Sequence, residues 1–290
     1  MSIHVVKAGE TVSSIAADAG VDPVRLASDN SVPSNGALAV GQTLVIRVPQ
    51  KVHTVAPGES LYSIASAYGV SVRQLFQNNW SLGGNPVLAE GQTLVISYSG
   101  ERLGLTAANG YAYPFIGREL LNSEVSYLTY LTPFTYGITA QGNLLPLSDD
   151  ALLAAARSHD TQPVMHLSTF TEENRFDTDR ATMILTNYDM QTSLITNVEQ
   201  TIHRKGYAGL DVDFEFLPAN LAEAYAAFLA RLQRLLSSQG YFVWSALAPK
   251  TSASQPGLLY QGHSYPAVGA AVDAVLLMTY EWGYTSEPAG

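Results

Sequence analysis

Three acidic residues at alternate positions give the strongest chemical signal in the sequence. They are Asp211, Asp213 and Glu215, within the otherwise apolar segment 207–216. Alternate side chains of a β-strand share one face, so these three carboxyl groups are predicted to lie side by side. Burial and like-charge repulsion both raise the pKa of a carboxyl group, which would let one of the three act as a general acid near neutral pH. A divalent-cation site is the alternative, because calcium and magnesium also bind carboxylate oxygens.

The acidic segment is one of six apolar, β-rich segments in the second part of the chain. The other five are residues 103–113, 125–136, 164–168, 242–247 and 272–280. Amphipathic helical patterns at 189–203 and 221–236 lie between strands, and each is followed by a glycine. Strands that alternate with helices and have few polar interruptions predict a parallel sheet buried on both faces. We therefore predict an α/β domain at 101–290, built as a (β/α)8 TIM-type barrel.

The predicted barrel is shorter than a complete one. Residues 101–290 supply about six strands, whereas a TIM barrel has eight strands and typically about 250 residues. We expect a barrel that is truncated at its C-terminal end, with two open sheet edges that lower its stability. We also expect this domain to be poorly stable or inactive as written.

The acidic segment resembles the DxxDxDxE signature of glycoside hydrolase family 18. Asp211, Asp213 and Glu215 match its last three acids, while Ala208 stands where the signature has its first Asp. The resemblance implies a retaining mechanism in which the 2-acetamido group of the substrate replaces an enzyme nucleophile. In that mechanism Glu215 would protonate the glycosidic oxygen, Asp213 would hold the acetamido N–H, and Asp211 would tune Asp213.

A second family motif follows at the end of a later predicted strand. The segment 278–282, MTYEW, resembles M-x-Y-D, with Glu281 in place of Asp. The resemblance implies that Tyr280 donates a hydrogen bond to the acetamido oxygen and counts as catalytic. The predicted substrate-binding residues are Met278, Glu281, Trp282, Tyr136 and Tyr111. For the aromatic residues among them, packing inside the barrel is the alternative to stacking on sugar rings.

The N-terminal part of the chain contains an internal repeat. The segment 4–21, HVVKAGETVSSIAADAGV, matches the segment 53–70, HTVAPGESLYSIASAYGV, and both copies close with GQTLVI. Each copy predicts a strand, two helices and a strand, and we expect each to fold. The repeats resemble LysM modules at 2–48 and 51–98, which gives an α+β fold class for this part.

The LysM resemblance implies a groove that binds glycans containing N-acetylglucosamine. The groove would be formed by the loop before the first helix and by the loop that follows the second helix. The predicted glycan-binding residues are Gly9, Glu10, Thr11, Asn30, Gly58, Glu59, Ser60, Asn79 and Trp80. Trp80 offers a flat ring for stacking. The alternative is that these residues only form turns, with Trp80 filling a small core.

Composition narrows the range of partners. The chain has 15 Lys and Arg against 25 Asp and Glu, for a net charge of −10, which argues against nucleic acid and anionic membranes. There are no cysteines, and the six histidines lack ligand-like spacing, so we predict no metal site and no cofactor. The histidines are expected at the surface or in satisfied core positions. No apolar run approaches the roughly 18 residues of a membrane span.

The two family resemblances together imply hydrolysis of N-acetylglucosaminyl bonds in peptidoglycan, with the LysM repeats anchoring the chain to the glycan. The order of LysM repeats before this barrel resembles the spore-cortex-lytic branch of the family. We therefore expect action at the spore coat, cortex or cell wall and, since no signal peptide is visible, synthesis in the mother-cell cytoplasm. The alternatives are a non-catalytic peptidoglycan or spore-coat binding protein with an inert barrel, and a chitinase.

Overall fold

The computed structural model describes residues 1–33, 35, 37–100 and 104–279. Contacts between residues divide the chain into two compact units. The first comprises residues 1–108 and 117–128, and the second comprises residues 109–116 and those from 129 onward. Residues 117–128, which sequence analysis assigned to the barrel region, therefore group by contact with the two repeats.

Both repeats of the first unit have the predicted order of strand, helix, helix and strand. The first contains β1 (Ser2–Val5), α1 (Val12–Ala19), α2 (Pro23–Asp29) and β2 (Thr43–Ile46). The second contains β3 (Pro49–Thr54), α3 (Leu61–Tyr68), α4 (Val72–Asn78), a 3-10 turn (Trp80–Leu82) and β4 (Thr93–Tyr98). β1 pairs with β2 and β3 with β4, both antiparallel, and each repeat has its own apolar core.

The first helix of each repeat begins at a capping box. The Thr11 and Ser60 side chains accept from the backbone N–H of Ser14 and Ser63, whose hydroxyls accept from the cap backbone in return. These reciprocal bonds satisfy two of the backbone N–H groups that a helix start leaves open. Both helices end at a glycine in the left-handed conformation, Gly20 and Gly69, which glycine adopts readily because it has no Cβ.

Two arginines of the first repeat, Arg25 and Arg47, contact the second repeat. Arg25, on α2, donates to the Asn78 backbone carbonyl and to the Tyr98 hydroxyl. The guanidinium of Arg47 lies over the Tyr98 ring, 3.7 Å from its centroid. Since only two residues separate β2 from β3, these contacts fix the two repeats against each other.

The second unit is built on six parallel strands. They are β5 (Asn109–Ala112), β6 (Tyr130–Pro133), β7 (Gln162–Ser168), β8 (Gly209–Asp213), β9 (Phe242–Leu247) and β10 (Ala274–Leu277). Each strand pairs with its neighbours in sequence order, β10-β9-β8-β7-β6-β5. Parallel strands in unbroken sequence order form the wall of a (β/α) barrel. Within the described residues β5 and β10 lie at the two edges of the sheet.

Helices connect most of these strands. They are α5 (Arg118–Val125), which belongs to the first unit, α6 (Asp150–Ser158), α7 (Thr178–Thr186), α8 (Tyr188–Lys205), α9 (Ala222–Ser237), α10 (Leu258–Gln261) and α11 (Tyr265–Gly269). α8 and α9 match the two predicted helical patterns. Their apolar stripes, with Leu194, Val198, Phe228 and Leu232 fully or almost fully buried, pack in one core cluster with Val212 of β8.

Candidate active site

The acidic segment lies at the centre of the sheet, but only part of it is a strand. β8 ends at Asp213, and Glu215 follows two residues later, partly buried. Asp211 is fully buried and Asp213 is 4% exposed. Strand register places His166 of β7 beside Asp211 and Ser168 beside Asp213. The two aspartates therefore come from alternate positions of one buried strand, as predicted.

His166 lies between the two aspartates. Its Nε2 is 3.6 Å from Asp213 Oδ2 and 4.0 Å from Asp211 Oδ2, and its side chain is 1% exposed. Its Nδ1 is 2.6 Å from the Thr135 hydroxyl, which fixes the ring. Sequence analysis gave this histidine no functional role. The sequence shows that His166 lies in the predicted strand 164–168, but it does not specify the strand register that places His166 beside Asp211.

Asp211 is held by a tyrosine from the first strand of the sheet. The Tyr111 hydroxyl donates to Asp211 Oδ2 at 2.5 Å, while Asp211 Oδ1 has no hydrogen-bond partner in the described part of the chain. Burial raises the pKa of Asp211; His166 and the Tyr111 hydroxyl oppose that rise, and the charge of Asp213 adds to it. Asp211 therefore favours its protonated form more than an exposed aspartate does.

Asp213 and Glu215 open onto a cavity of about 340 Å³. It is lined by Tyr111, Ala112, Tyr113, Phe134, His166, Phe176, Asp213, Glu215, Ala246 and Met278. Four of the predicted site residues (Tyr111, Asp213, Glu215 and Met278) thus meet in one cavity, with Asp211 bonded to Tyr111. An apolar cavity with a few converging polar groups is the usual form of a small-ligand site.

Comparison with known proteins identifies the family. A profile of the LysM domain matches residues 4–47 and 53–97. The cortical fragment-lytic enzyme of Bacillus subtilis (strain 168) is 32% identical over 294 residues, which cover 99% of this chain and 67% of the relative. The chain belongs to the cortical fragment-lytic enzyme family.

Solved structures agree with this assignment. The spore cortex-lytic enzyme SleL of Bacillus cereus matches with a TM-score of 0.74 and 31% identity over 100% of this chain and 67% of that one. A chitinase from Chromobacterium violaceum shares the fold at 20% identity and a TM-score of 0.57, over 64% of this chain and 59% of the chitinase. The chain spans about two thirds of the length of the cortex-lytic relatives. These comparisons confirm the LysM repeats and the resemblance to the glycosidase barrel.

Tyr136, a predicted substrate-binding residue, lies outside the cavity of this member of the cortical fragment-lytic enzyme family. Tyr136 is 4% exposed and does not line the cavity. Its hydroxyl donates to Asp149 Oδ2 at 2.6 Å, and Asp149 also accepts from Tyr207 and Lys205. The prediction that Tyr136 stacks on sugar is therefore wrong, because the hydroxyl is used to satisfy a buried carboxylate. Tyr280, Glu281 and Trp282 lie outside the described residues.

The asparagines at equivalent positions of the two LysM repeats, Asn30 and Asn79, form hydrogen bonds within the fold. Asn79 donates to the Leu75 and Val95 carbonyls at 2.9 Å each and accepts from Val95 N–H at 2.7 Å. Asn30 makes the equivalent three bonds, to Leu26 and Val45. Asn79 is only 1% exposed. The side-chain amides of Asn79 and Asn30 are therefore occupied within their own repeats, and the prediction that the loops containing them bind glycan stays a prediction.

The two LysM glutamates also bond within their own repeats. Glu10 accepts from the Lys7 backbone N–H at 2.7 Å and lies 2.8 Å from His4 Nε2. Glu59 repeats the arrangement with Ala56 and His53. The backbone N–H of Lys7, followed by the His4 ring, lowers the pKa of Glu10. Both carboxylates therefore brace the loop before the helix.

The remaining predicted LysM residues form the loops themselves. Gly9 and Gly58 have φ of 84° and 80°, a conformation that favours glycine. Thr11 and Ser60 are the helix caps described above. Trp80 is 39% exposed, so its ring is available to a ligand.

Two wider features of the described chain bear on partners. No group of three or more histidine, aspartate and glutamate side chains in the described ranges is arranged to hold a metal ion. Among the same residues, no helix is both long and apolar enough to cross a bilayer.

Proposed function

We propose that the chain hydrolyses N-acetylglucosaminyl bonds of spore-cortex peptidoglycan by retaining, substrate-assisted catalysis, while the LysM repeats hold the glycan. The observation that carries the proposal is the convergence of Asp213 and Glu215 on one cavity, above a buried Asp211 held by Tyr111 and His166. Relatives named for lysis of cortical fragments support the choice of substrate.

Asp213 has a free acceptor for the substrate. Its Oδ1 is buried and has no hydrogen-bond partner among the described residues, while its Oδ2 faces His166. A buried unpaired acceptor costs about 1–3 kcal/mol, so a ligand N–H that pairs with it is bound favourably. The acetamido N–H of N-acetylglucosamine supplies such a donor. This bond would hold the acetamido carbonyl toward C1.

Glu215 is the acid and base of the proposal. As the acetamido oxygen forms a bond to C1, the C1–O bond to the leaving sugar breaks and the leaving oxygen takes the Glu215 proton. Water then attacks C1, opens the resulting oxazolinium ring and returns its proton to Glu215. The partly buried position of Glu215 at the cavity suits a group that must alternate between acid and base.

Asp211 affects the charge of the site through its own protonation. Its raised pKa favours a proton on Asp211, which removes one of two like charges from this part of the site. Tyr111 and His166 would keep this arrangement in place. Neither needs to touch the sugar to do so.

A line of aromatic rings extends from the cavity and suits an extended glycan. Phe134 contacts Tyr113 and Phe170, with ring centroids 5.1 and 5.9 Å apart, and Tyr113 stacks on Phe115 at 4.9 Å. Phe115 is 83% exposed. Sugar rings pack their apolar faces on such surfaces, so this row is the proposed path of the chain beyond the cleaved bond.

The site of action follows from the substrate. We place it at the spore cortex or cell wall, with synthesis in the mother cell and peptidoglycan as the partner. The exposed Trp80 beside the second LysM loop would contribute a stacking surface for the same glycan.

The test uses Glu215→Gln, with the exposed Glu223→Gln of α9 as a matched control. Reducing ends released from cortical fragments should fall by about 100- to 10,000-fold in Glu215→Gln and stay unchanged in Glu223→Gln. NMR of the first product should show the anomeric configuration retained. Undiminished turnover by Glu215→Gln contradicts the catalytic assignment, and glycan binding without any hydrolysis by the wild-type chain favours the non-catalytic wall-binding alternative. Cleavage of chitin oligomers in preference to cortical fragments contradicts the proposed substrate and favours a chitinase.

A further inference from the structure

The backbone that carries Glu215 is held on both sides by side chains from other elements. The Phe214 carbonyl, one residue before Glu215, lies 2.8 Å from His263 Nε2. The Phe216 carbonyl, one residue after it, accepts from the Thr178 hydroxyl at 2.9 Å. Glu215 itself lies beyond the end of β8, so the hydrogen bonds of the strand do not fix it.

The segment has a conformation that needs such support. Phe216 has φ of 55°, in the left-handed region that side chains with a Cβ rarely occupy. A residue stays in that region only when its surroundings hold it there. The turn at Phe216 comes directly after Glu215, so a relaxed Phe216 would redirect the Glu215 carboxyl.

His263 is built into the core as a donor. It is 1% exposed, its ring packs edge-on against Tyr225 with centroids 5.6 Å apart, and its Nδ1 lies 3.2 Å from the Leu259 carbonyl. Both ring nitrogens face carbonyl oxygens, which only accept, and we assign the Nε2–H donor to the shorter of the two contacts, the one to Phe214. Its neighbour Gly262 lies so close to Leu217 that an added Cβ would be 2.2 Å from the Leu217 Cβ.

We propose that Thr178 and His263 are positioning residues that set the direction in which Glu215 delivers its proton. This inference rests on the proposed function of Glu215. Thr178 reaches the segment from the start of α7 and His263 from the loop between α10 and α11. Each acts through a backbone carbonyl, and neither lines the cavity.

The main test compares two substrates that differ in their need for an acid. Aryl glycosides of N-acetylglucosamine carrying 4-methoxyphenol need protonation of the leaving oxygen, whereas those carrying 2,4-dinitrophenol do not. In Thr178→Val, kcat for the first substrate should fall about 10- to 100-fold, and kcat for the second should change less than about threefold. Thr186→Val on the same helix is the control and should change neither, because within the described residues its hydroxyl donates to the Thr182 carbonyl of its own helix. A partly unfolded enzyme would lose both activities equally, so the ratio isolates positioning.

Two further measurements keep the inference open to refutation. His263→Gln, which retains a donor near Nε2, should recover most of the ratio that His263→Leu loses. Hydrogen exchange should accelerate at residues 214–217 in Thr178→Val and not in Thr186→Val. Unchanged exchange together with an unchanged ratio in Thr178→Val overturns the inference while Glu215→Gln remains inactive; an active Glu215→Gln refutes the proposed function itself.

Discussion

Substitution of Asn79, which follows α4 in the second LysM repeat, should reduce the stability of that repeat and so distinguishes a role in folding from a role in glycan binding. Asn79→Ala removes three hydrogen bonds within the repeat, two from its amide nitrogen and one to its amide oxygen, together with a longer one of 3.5 Å from Arg25 Nη1 to the same oxygen. A hydrogen bond contributes about 1 kcal/mol net, so the loss is about 3 kcal/mol, and the buried Val95 N–H is left without its partner. For a small domain this is a large share of the free energy of unfolding.

Hydrogen exchange measured by mass spectrometry locates this effect. Amides of residues 49–98 should lose about 3 kcal/mol of protection in Asn79→Ala, while amides around Asn30 keep theirs. Trp80→Ala is the matched control, because Trp80 adjoins Asn79 but is 39% exposed. It should leave protection nearly unchanged and weaken binding to N-acetylglucosamine oligomers by about 1 kcal/mol, or about fivefold in Kd. If Asn79→Ala keeps full protection but loses the glycan, the structural role assigned to Asn79 is wrong.

Three further predictions concern the second unit. Asp211→Asn should stabilise the protein most at neutral pH. Because the folded pKa of Asp211 is raised, the contribution of Asp211 to stability falls as the pH rises from the unfolded pKa through the folded pKa. Thermal melts between pH 4 and pH 8 should therefore show a melting temperature that depends less on pH in the variant than in the wild type. Asp149→Ala should cost about 3 kcal/mol in urea unfolding, because it leaves the Lys205 ammonium without its buried partner; a loss below 1 kcal/mol would show that water replaces the carboxylate. Gly262→Ala should cost about 1–3 kcal/mol because its Cβ would overlap Leu217, and a variant as stable as wild type would show that the loop can shift.

The site could be predicted in part because two of its carboxyl groups occupy alternate positions of a β-strand, which places them on one face. Asp211 and Asp213 occupy alternate positions of β8, so their common face follows from the sequence alone. Glu215 does not: the strand ends before it, and its direction depends on the turn at Phe216. The prediction that all three acids lie on one strand was therefore too simple, although the cavity does bring Asp213 and Glu215 together.

The roles of His166 and Tyr136 could not be predicted, because each depends on a partner that tertiary structure brings close. His166 reaches the aspartates because β7 and β8 pair in one register, and nothing local to His166 specifies that register. Tyr136 was predicted to face the ligand, but its hydroxyl donates a hydrogen bond to Asp149, 13 positions later in the chain.

Strand limits show the same division between local and tertiary signals. The run 125–136 was predicted as one strand, yet its first residue ends α5, the strand itself covers Tyr130–Pro133, and Tyr136 forms a separate bridge to Leu167. α8 and α9, by contrast, follow the predicted patterns to within two residues, because their apolar stripes are long and periodic.

The Arg25 bridge has a consequence for how the wall is gripped. Repeats joined by a flexible tether must lose orientational freedom each time both engage one polymer. Here that freedom is already absent, because Arg25 and Tyr98 lock one repeat to the other across a two-residue connection. Once one repeat is seated, the other meets the same strand at a high effective concentration, provided the spacing of the sugars matches the spacing of the loops. If both repeats bind glycan as proposed, we expect the pair to favour straight glycan strands whose sugar spacing matches the distance between the two binding loops.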